Sequence, residues 1–519
     1  MNHAAPHAAP RTRLRSSLAA LTAASAALLS LAGCSLEMPG GAADGSSITI
    51  DIANNPSTLD PGLQYDESTY SVYRNIYDQL LRRDPKTNEP VPWLATKWKT
   101  TSPTTWVFTM RSGVQFSNGE ALTADDAAFS INRILDPKYN SPQYANFSAI
   151  DHAKALSDTQ LEITTKSPSP TLLTYLTTLS VVPKDYVEKV GAKGLNAKPI
   201  GSGAYQLESA TSGSRYVLSL NPHYWGKEPA IRTVVFRPVA DASSRVSDLQ
   251  SGQAQLASGL TPDQAVQLQG YSNVQVLTAK TERVAYLAVN ALGDTATKNV
   301  DIRRAIAMGI NYESIIKNLE SDYASPIGTT LTPLAFGYPD ALPNYRYDPE
   351  RAKELVKATG LKNITIKFPT SPSFDPQLVQ AIQSDLGKIG IKVEIENSDQ
   401  ATYLKNVQDP AHQWGSLRFG QWSCSCLDAD GVIYPLFRTG GIWASYSNPE
   451  FDKAVDAARA TLDRDKRQAE YDKAIDIIAK DVPGIGLFQV QAIYGASTRL
   501  NWSPDAVQSL YVDQMTMDK

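Results

Sequence analysis

Apolar positions along the chain alternate between two periods, and the changes of period mark its elements. Ile48, Ile50 and Ile52 fall on alternate residues, which predicts a strand over 47–52 with one buried face. Pro56 and Pro61 break it, and Tyr70 to Leu81 then reads as helical. Period two returns at Trp106, Phe108 and Met110, a strand ending in Arg111-Ser112-Gly113. Thr123-Ala124-Asp125-Asp126 has the shape of a capping box, with acids where the helix dipole favours them. Between Tyr347 and Ile395 the pattern is strongest. Asp348 suits an N-cap, Pro349 the first helical position and Gly360 the stop. Ala352, Leu355, Val356 and Thr359 form the buried stripe between them. Ile364, Ile366 and Phe368 then alternate as a strand. A helix through Leu378, Ile382, Leu386 and Ile389 follows, and a strand with Ile391, Val393 and Ile395 comes after Gly390. Strand, helix, strand of this length implies parallel pairing through a right-handed crossover. Two more helical stripes follow, Phe451 to Leu462 behind Asn448-Pro449, and Tyr471 to Ile478. These stripes are core, with no ligand role.

The N-terminus obeys a different pattern. Arg11, Arg13 and Arg15 precede a 15-residue apolar stretch, Leu18 to Ala32, and no acid appears before Glu37. The stretch is short of the roughly 20 residues a membrane span needs. It ends in Leu31-Ala32-Gly33-Cys34, which resembles a bacterial lipobox, where the cysteine thiol carries lipid as a thioether. The expectation is a signal peptide over 1–33, a lipidated Cys34 and a Gly/Ala/Ser-rich tether over 34–45. The body is then extracytoplasmic, in a periplasm or at a cell surface, and anchored to a membrane. Cleavage leaves 486 residues with 46 bases and 53 acids, which argues against a nucleic-acid partner. At 519 residues the chain has room for about three domains. Its mean hydropathy of -0.28 excludes a polytopic membrane protein.

Candidate chemistry is sparse. No Gly-x-Ser-x-Gly elbow and no His-Glu-x-x-His occurs, and the mature chain keeps only His152, His223 and His412, far apart. Three isolated histidines read as surface residues, so no metal site and no cofactor is expected. Gly201-Ser202-Gly203 lacks a third glycine, and no Walker lysine follows a Gly-rich loop. Cys424 and Cys426, separated by one residue, are either two free thiols or a disulfide closing a very small ring. No catalytic constellation emerges, so the chain does not read as an enzyme.

Several stretches in order resemble the family 5 solute-binding proteins of bacterial ABC importers, the peptide, dipeptide and nickel group. They are Ser57-Thr58-Leu59-Asp60-Pro61, Asn75-Ile76-Tyr77-Asp78-Gln79-Leu80-Leu81 and Pro92-Trp93-Leu94-Ala95-Thr96-Lys97-Trp98. The most specific block runs from Trp106-x-Phe108-x-Met110-Arg111-x-Gly113 through Asn118-Gly119 and Thr123-Ala124-x-Asp126 to Arg133. Pro199-Ile200-Gly201-Ser202-Gly203-Ala204-Tyr205, Asn221-Pro222-x-Tyr224-Trp225-Gly226, Asp301-Ile302-Arg303-Arg304 and Arg467-x-x-x-Tyr471 complete the series.

The resemblance implies an α/β, two-lobed periplasmic-binding-protein fold with an additional inserted α/β domain and a ligand cleft between the lobes. It implies a discontinuous lobe I over 46–79, 199–284 and 489–519, an inserted domain over 80–198 and a lobe II over 285–488. The crossings near 284–285 and 488–489 would form the hinge. Family members that bind peptides hold the ammonium with an acid shortly after a Gly-Trp pair. Here Gly420-Gln421-Trp422 is followed late by Asp428 and Asp430, with Asp428 the first choice. Arg418 could pair a carboxylate bidentately. Tyr65, Asp66 and Glu67 match positions that line the family's pocket. The implied function is a lipid-anchored, monomeric receptor that captures di- or oligopeptides by lobe closure and delivers them to an ABC permease. The alternatives are a non-peptide solute (nickel chelate, opine or sugar) and a ligand sensor without transport.

Overall fold

The strand Ser47–Ile52 forms where the alternation places it, inside a nine-stranded mixed sheet. The computed structural model describes residues 45–64, 66–339 and 346–518. The expected signal segment 1–33, Cys34, tether residues 35–44 and Tyr65 lie outside the described residues. Ser47–Ile52 pairs in parallel with Thr233–Pro238 on one side and Leu256–Ala257 on the other. Beyond these, two long strands, Val274–Val289 and Gly484–Ser497, run antiparallel along each other. Near Ala496 the second of them pairs with Leu256–Ala257, and near Val284–Val289 the first pairs with Leu417–Trp422. These two strands carry the sheet from one packing core to another. Their register shifts between Lys280 and Val284, leaving Thr281, Glu282 and Arg283 in an irregular bulge. Gln489 Nε2 donates to Thr281 O at 2.8 Å and Thr281 Oγ1 to Val490 O at 2.7 Å, which pins the bulge.

Separate apolar cores flank this sheet. Ile48, Ile50, Phe236 and Tyr494 belong to one. A second joins a four-stranded antiparallel sheet (Ala95–Ser102, Thr105–Met110, Gln160–Thr165, Ile150–Ser157) to the helix Ala124–Leu135 through Phe108, Ile131 and Leu161. A third gathers Leu287, Ile306, Phe368 and Ile382, beside a fourth around Phe437, Phe451 and Tyr471. The expected crossover is present: Thr365–Thr370 pairs in parallel with Lys392–Asn397, with the helix Pro376–Lys388 between them in sequence. Both anticipated caps form, the Thr123–Asp126 capping box and Asp348 accepting from Arg351 N at 2.9 Å. Leu462, expected on the helix Pro449–Ala460, lies past its end and packs against the second core.

The helix expected over 70–81 is shorter and earlier, Glu67–Tyr73, and Leu81–Arg83 is a strand. Asp66 fixes its start by accepting from Thr69 N at 3.0 Å. Its end follows from competition for carbonyls. Asn75 O and Ile76 O accept from Tyr205 N (3.0 Å) and Gly203 N (2.8 Å). A Cβ on Gly201 would sit 2.1 Å from Ile76 O, so the Gly201-Ser202-Gly203 turn serves close backbone approach. The family-like motifs converge on buried acids. Asp78, fully buried, accepts from Trp93 Nε1 (2.6 Å), Trp225 Nε1 (2.9 Å) and Ser202 Oγ (3.0 Å). Asp60 takes Arg133 bidentately at 2.9 and 2.6 Å and Tyr139 OH at 2.8 Å. These are scaffold contacts, and they hold the segments that surround the site.

Candidate functional site

The bulge at Thr281–Arg283 opens onto a cavity of about 740 Å³, which draws its lining from all the neighbouring segments. Glu282 and Arg283 come from the bulge itself. Asp66, Glu67, Tyr70 and Arg74 come from the start and end of the helix Glu67–Tyr73. Arg83, Asn146, Tyr175 and Thr178 border it from the side of the four-stranded sheet. Trp422 to Ser425, Asp430, Tyr434 and Arg459 line the opposite wall, and Asp505, Val507 to Ser509 and Tyr511 complete it from the C-terminal segment. The volume lies in the range of small-molecule sites, roughly 300–1,000 Å³.

Charge of both signs is concentrated there, much of it poorly compensated. Burial pushes Glu282 up to about 7, and its Oε2 has no hydrogen-bond partner among the described residues. Burial also raises Glu67, which accepts from Gln508 Nε2 at 2.9 Å. Asp505 is raised for the same reason, although Ser509 N and Val507 N donate to it at 2.8 and 3.1 Å. Glu67, Glu282 and Asp505 share one neighbourhood: each of them pushes the buried phenols of Tyr70 and Tyr494 upward. Among the cations, Arg83 donates to Asn88 O (2.6 Å) and Ser425 O (2.7 Å), neutral acceptors, and burial pulls it down to about 10. Arg74 donates to Ser509 Oγ at 3.0 Å and lies 4.0 Å from the centre of the Tyr70 ring. Arg459 Nε sits 2.9 Å from Asp430 Oδ1 as an ion pair without the alignment of a hydrogen bond, and it covers the Tyr434 ring at 3.9 Å. Burial nevertheless pushes Asp430 up to about 6. Such a chamber is suited to hold a polar ligand carrying opposite charges.

Asp66, Glu67, Trp422 and Asp430 line the cavity as the sequence suggests, whereas Asp428, Arg418 and Gly420 do not. Asp428 is buried facing a smaller neighbouring cavity of about 420 Å³, and both its oxygens are engaged. Arg467 donates to them at 2.6 and 2.6 Å, Tyr471 OH at 3.1 Å and Asp430 N at 2.9 Å. Its carboxylate therefore has little capacity left for a ligand. Arg418, Gly420 and Trp422 share one face of the strand Leu417–Trp422, but only Trp422, opposite Val284 beside the bulge, reaches the cavity. Arg418, opposite Ala288, is buried among Tyr286, Trp414 and Trp443, within 6 Å of each ring. Gly420 lies opposite Tyr286, and a Cβ there would be 2.9 Å from its ring.

The two cysteines explain why the acids come late. Cys424 and Cys426 are disulfide-bonded and close a turn that projects into the cavity wall. A Cβ on Gly431 would lie 2.1 Å from Cys424 Sγ and 2.4 Å from Cys426 Sγ, so the glycine gives the sulfurs their seat. Leu427 follows in the left-handed region (φ 48°), and the chain turns Asp428 toward Arg467. Tyr175 OH stands 3.6 Å from Cys424 Sγ across the cavity wall. Glu282, Arg283, Arg74, Arg83, Arg459 and Asp505 are not anticipated by motif. The one available signal is Thr281-Glu282-Arg283, a polar triplet inside an otherwise strand-like run.

Known proteins share this architecture. The dipeptide-binding protein of Escherichia coli (strain K12) is 27% identical over 467 residues, 83% of this chain and 86% of its own. Di/tripeptide-binding protein 2 of Pseudomonas aeruginosa (strain UCBPP-PA14) is 28% identical, covering 92% and 94%. The structure of the ABC transporter-associated periplasmic binding protein DppA from Helicobacter pylori in complex with peptide STSA superposes with a TM-score of 0.75 at 26% identity, over 91% of this chain and 98% of that one. The two-lobed α/β fold expected from the sequence is thereby established. A family model matches residues 89–444, and the chain belongs to the bacterial extracellular solute-binding proteins, family 5.

Proposed function

We propose that the protein is the lipid-anchored receptor of an ABC importer, capturing di- or oligopeptides between its lobes and passing them to the permease. Membership of the family makes it a binding protein rather than an enzyme, and a component of ABC import. The observation that carries the peptide reading is the cavity of about 740 Å³, where acids and arginines line one space. A zwitterionic peptide offers complementary charges and leaves neither sign unpaired, which is where burial would otherwise cost most. The relatives named for dipeptides and di/tripeptides support the same choice. Anchoring rests on Leu31-Ala32-Gly33-Cys34. The separate apolar cores support lobe I over 46–79, 199–284 and 489–519, the inserted domain over 80–198 and lobe II over 285–488, except that Val182, Val187 and Leu195 pack into the core of lobe I, so the end of the inserted segment belongs with that lobe. The two long strands that join them supply the hinge.

A thermal-melting panel tests this reading. Di- and tripeptides with free termini should raise the melting temperature through linkage, while nickel chelates, opines and sugars leave it unmoved. A shift confined to a non-peptide solute would replace the peptide with that solute.

A further inference from the structure

Glu282 is the one acid of the cavity whose carboxylate retains a buried oxygen with neither a hydrogen bond nor an ion pair among the described residues; the other such oxygen, Asp430 Oδ1, has Arg459 Nε at 2.9 Å. Asp428 is occupied by Arg467, Asp430 by Arg459, and Glu67 by Gln508. The charged and titratable groups around Glu282 are Arg283 on its own strand, Arg83 from the strand Leu81–Arg83, Asp505 from the C-terminal segment, and the phenols of Tyr70 and Tyr494, which also sense Glu67. They act through space and do not bond to it. Burying a carboxylate in this way is unfavourable unless a cation joins it. The residue also stands in the bulge between the two long strands, where a ligand held by it touches the connection between the cores.

Resting on the peptide reading above, we propose that Glu282, rather than either aspartate after Trp422, receives the ligand's ammonium group. A primary ammonium offers three donors to an acceptor that lacks one. Its approach favours the ionised carboxylate, so binding near neutral pH should release a proton from Glu282.

The test uses the mature protein purified without refolding and an equimolar dipeptide library, presented free and N-acetylated, with retained peptides quantified by mass spectrometry. The wild type should retain free dipeptides at least about 30-fold better than acetylated ones, and Glu282→Gln should erase that preference. Glu282→Asp, which keeps the charge, should recover part of it. Calorimetry of the best-retained dipeptide in two buffers of different ionisation enthalpy should show proton release at pH 7 in the wild type and none in Glu282→Gln. Equal retention of free and acetylated peptides by the wild type would overturn the proposal without needing any variant. A free-amine preference that survives Glu282→Gln would overturn it while leaving peptide binding intact. Retention of neither library would overturn the peptide reading and this assignment together.

Discussion

Replacing Asp428 by asparagine should destabilise the protein and leave its ligand preference unchanged. The carboxylate and Arg467 are buried together, each side chain 6% exposed, with two bonds of 2.6 Å between them and Tyr471 OH bound to both. Asparagine keeps the size but offers one acceptor where two are needed, and it leaves a guanidinium buried without its counter-charge. Breaking a buried pair from one side costs about 3–5 kcal/mol. If local opening governs exchange, this corresponds to roughly 100- to 5,000-fold faster hydrogen exchange at the buried amides of the helix Arg464–Asp481. A local probe suits a chain with several cores, where a single unfolding free energy is not defined. The double substitution Asp428→Leu with Arg467→Met should restore much of the protection, because it removes both charges at once. Exchange in Asp428→Asn within about fivefold of wild type, with selective loss of free-amine peptides, would show that Asp428 faces the ligand.

Other consequences follow from the same geometry. Gly431→Ala places a Cβ 2.1 Å from Cys424 Sγ, so the loop must move, and calorimetry should show peptide affinity falling at least about tenfold with the disulfide intact. Glu282 has a folded pKa raised to about 7 from 4.5, so the stability it contributes is full below about pH 4.5 and is lost as pH rises toward 7. The melting temperature of the ligand-free wild type should therefore fall relative to Glu282→Gln between pH 5 and 7.5, and parallel curves would refute the burial argument. Cys34→Ser should abolish incorporation of labelled palmitate, and unchanged labelling would remove the anchor from the account.

Local pattern accounts for what was legible in the sequence. The strand Ser47–Ile52 and the Thr123 capping box are signalled by residues within one or two turns of each other, and the parallel crossover after Asp348 by three elements that follow one another directly along the chain. The helix near Tyr70 ends before its pattern predicts because Gly203 and Tyr205, more than a hundred residues away, claim the Ile76 and Asn75 carbonyls that would continue it. In the site, Asp66, Glu67, Trp422 and Asp430 stand near recognisable motifs and do line the cavity. Asp428 could not be separated from Asp430 by spacing alone, since the direction each faces depends on the disulfide turn and on Arg467. Glu282 and Arg83 carry no motif. Their significance is that, once buried, neither is hydrogen-bonded to an opposite charge, which is a property of the assembled cavity.

Capture of a peptide in the cavity is most directly tested by native mass spectrometry of the protein purified from its own cells without refolding. The structure leads us to expect a bound mass released on denaturation whose fragments read as a short peptide with a free amino terminus. A released nickel chelate, opine or sugar, or an empty protein that takes up no peptide from a millimolar library, would rule that reading out.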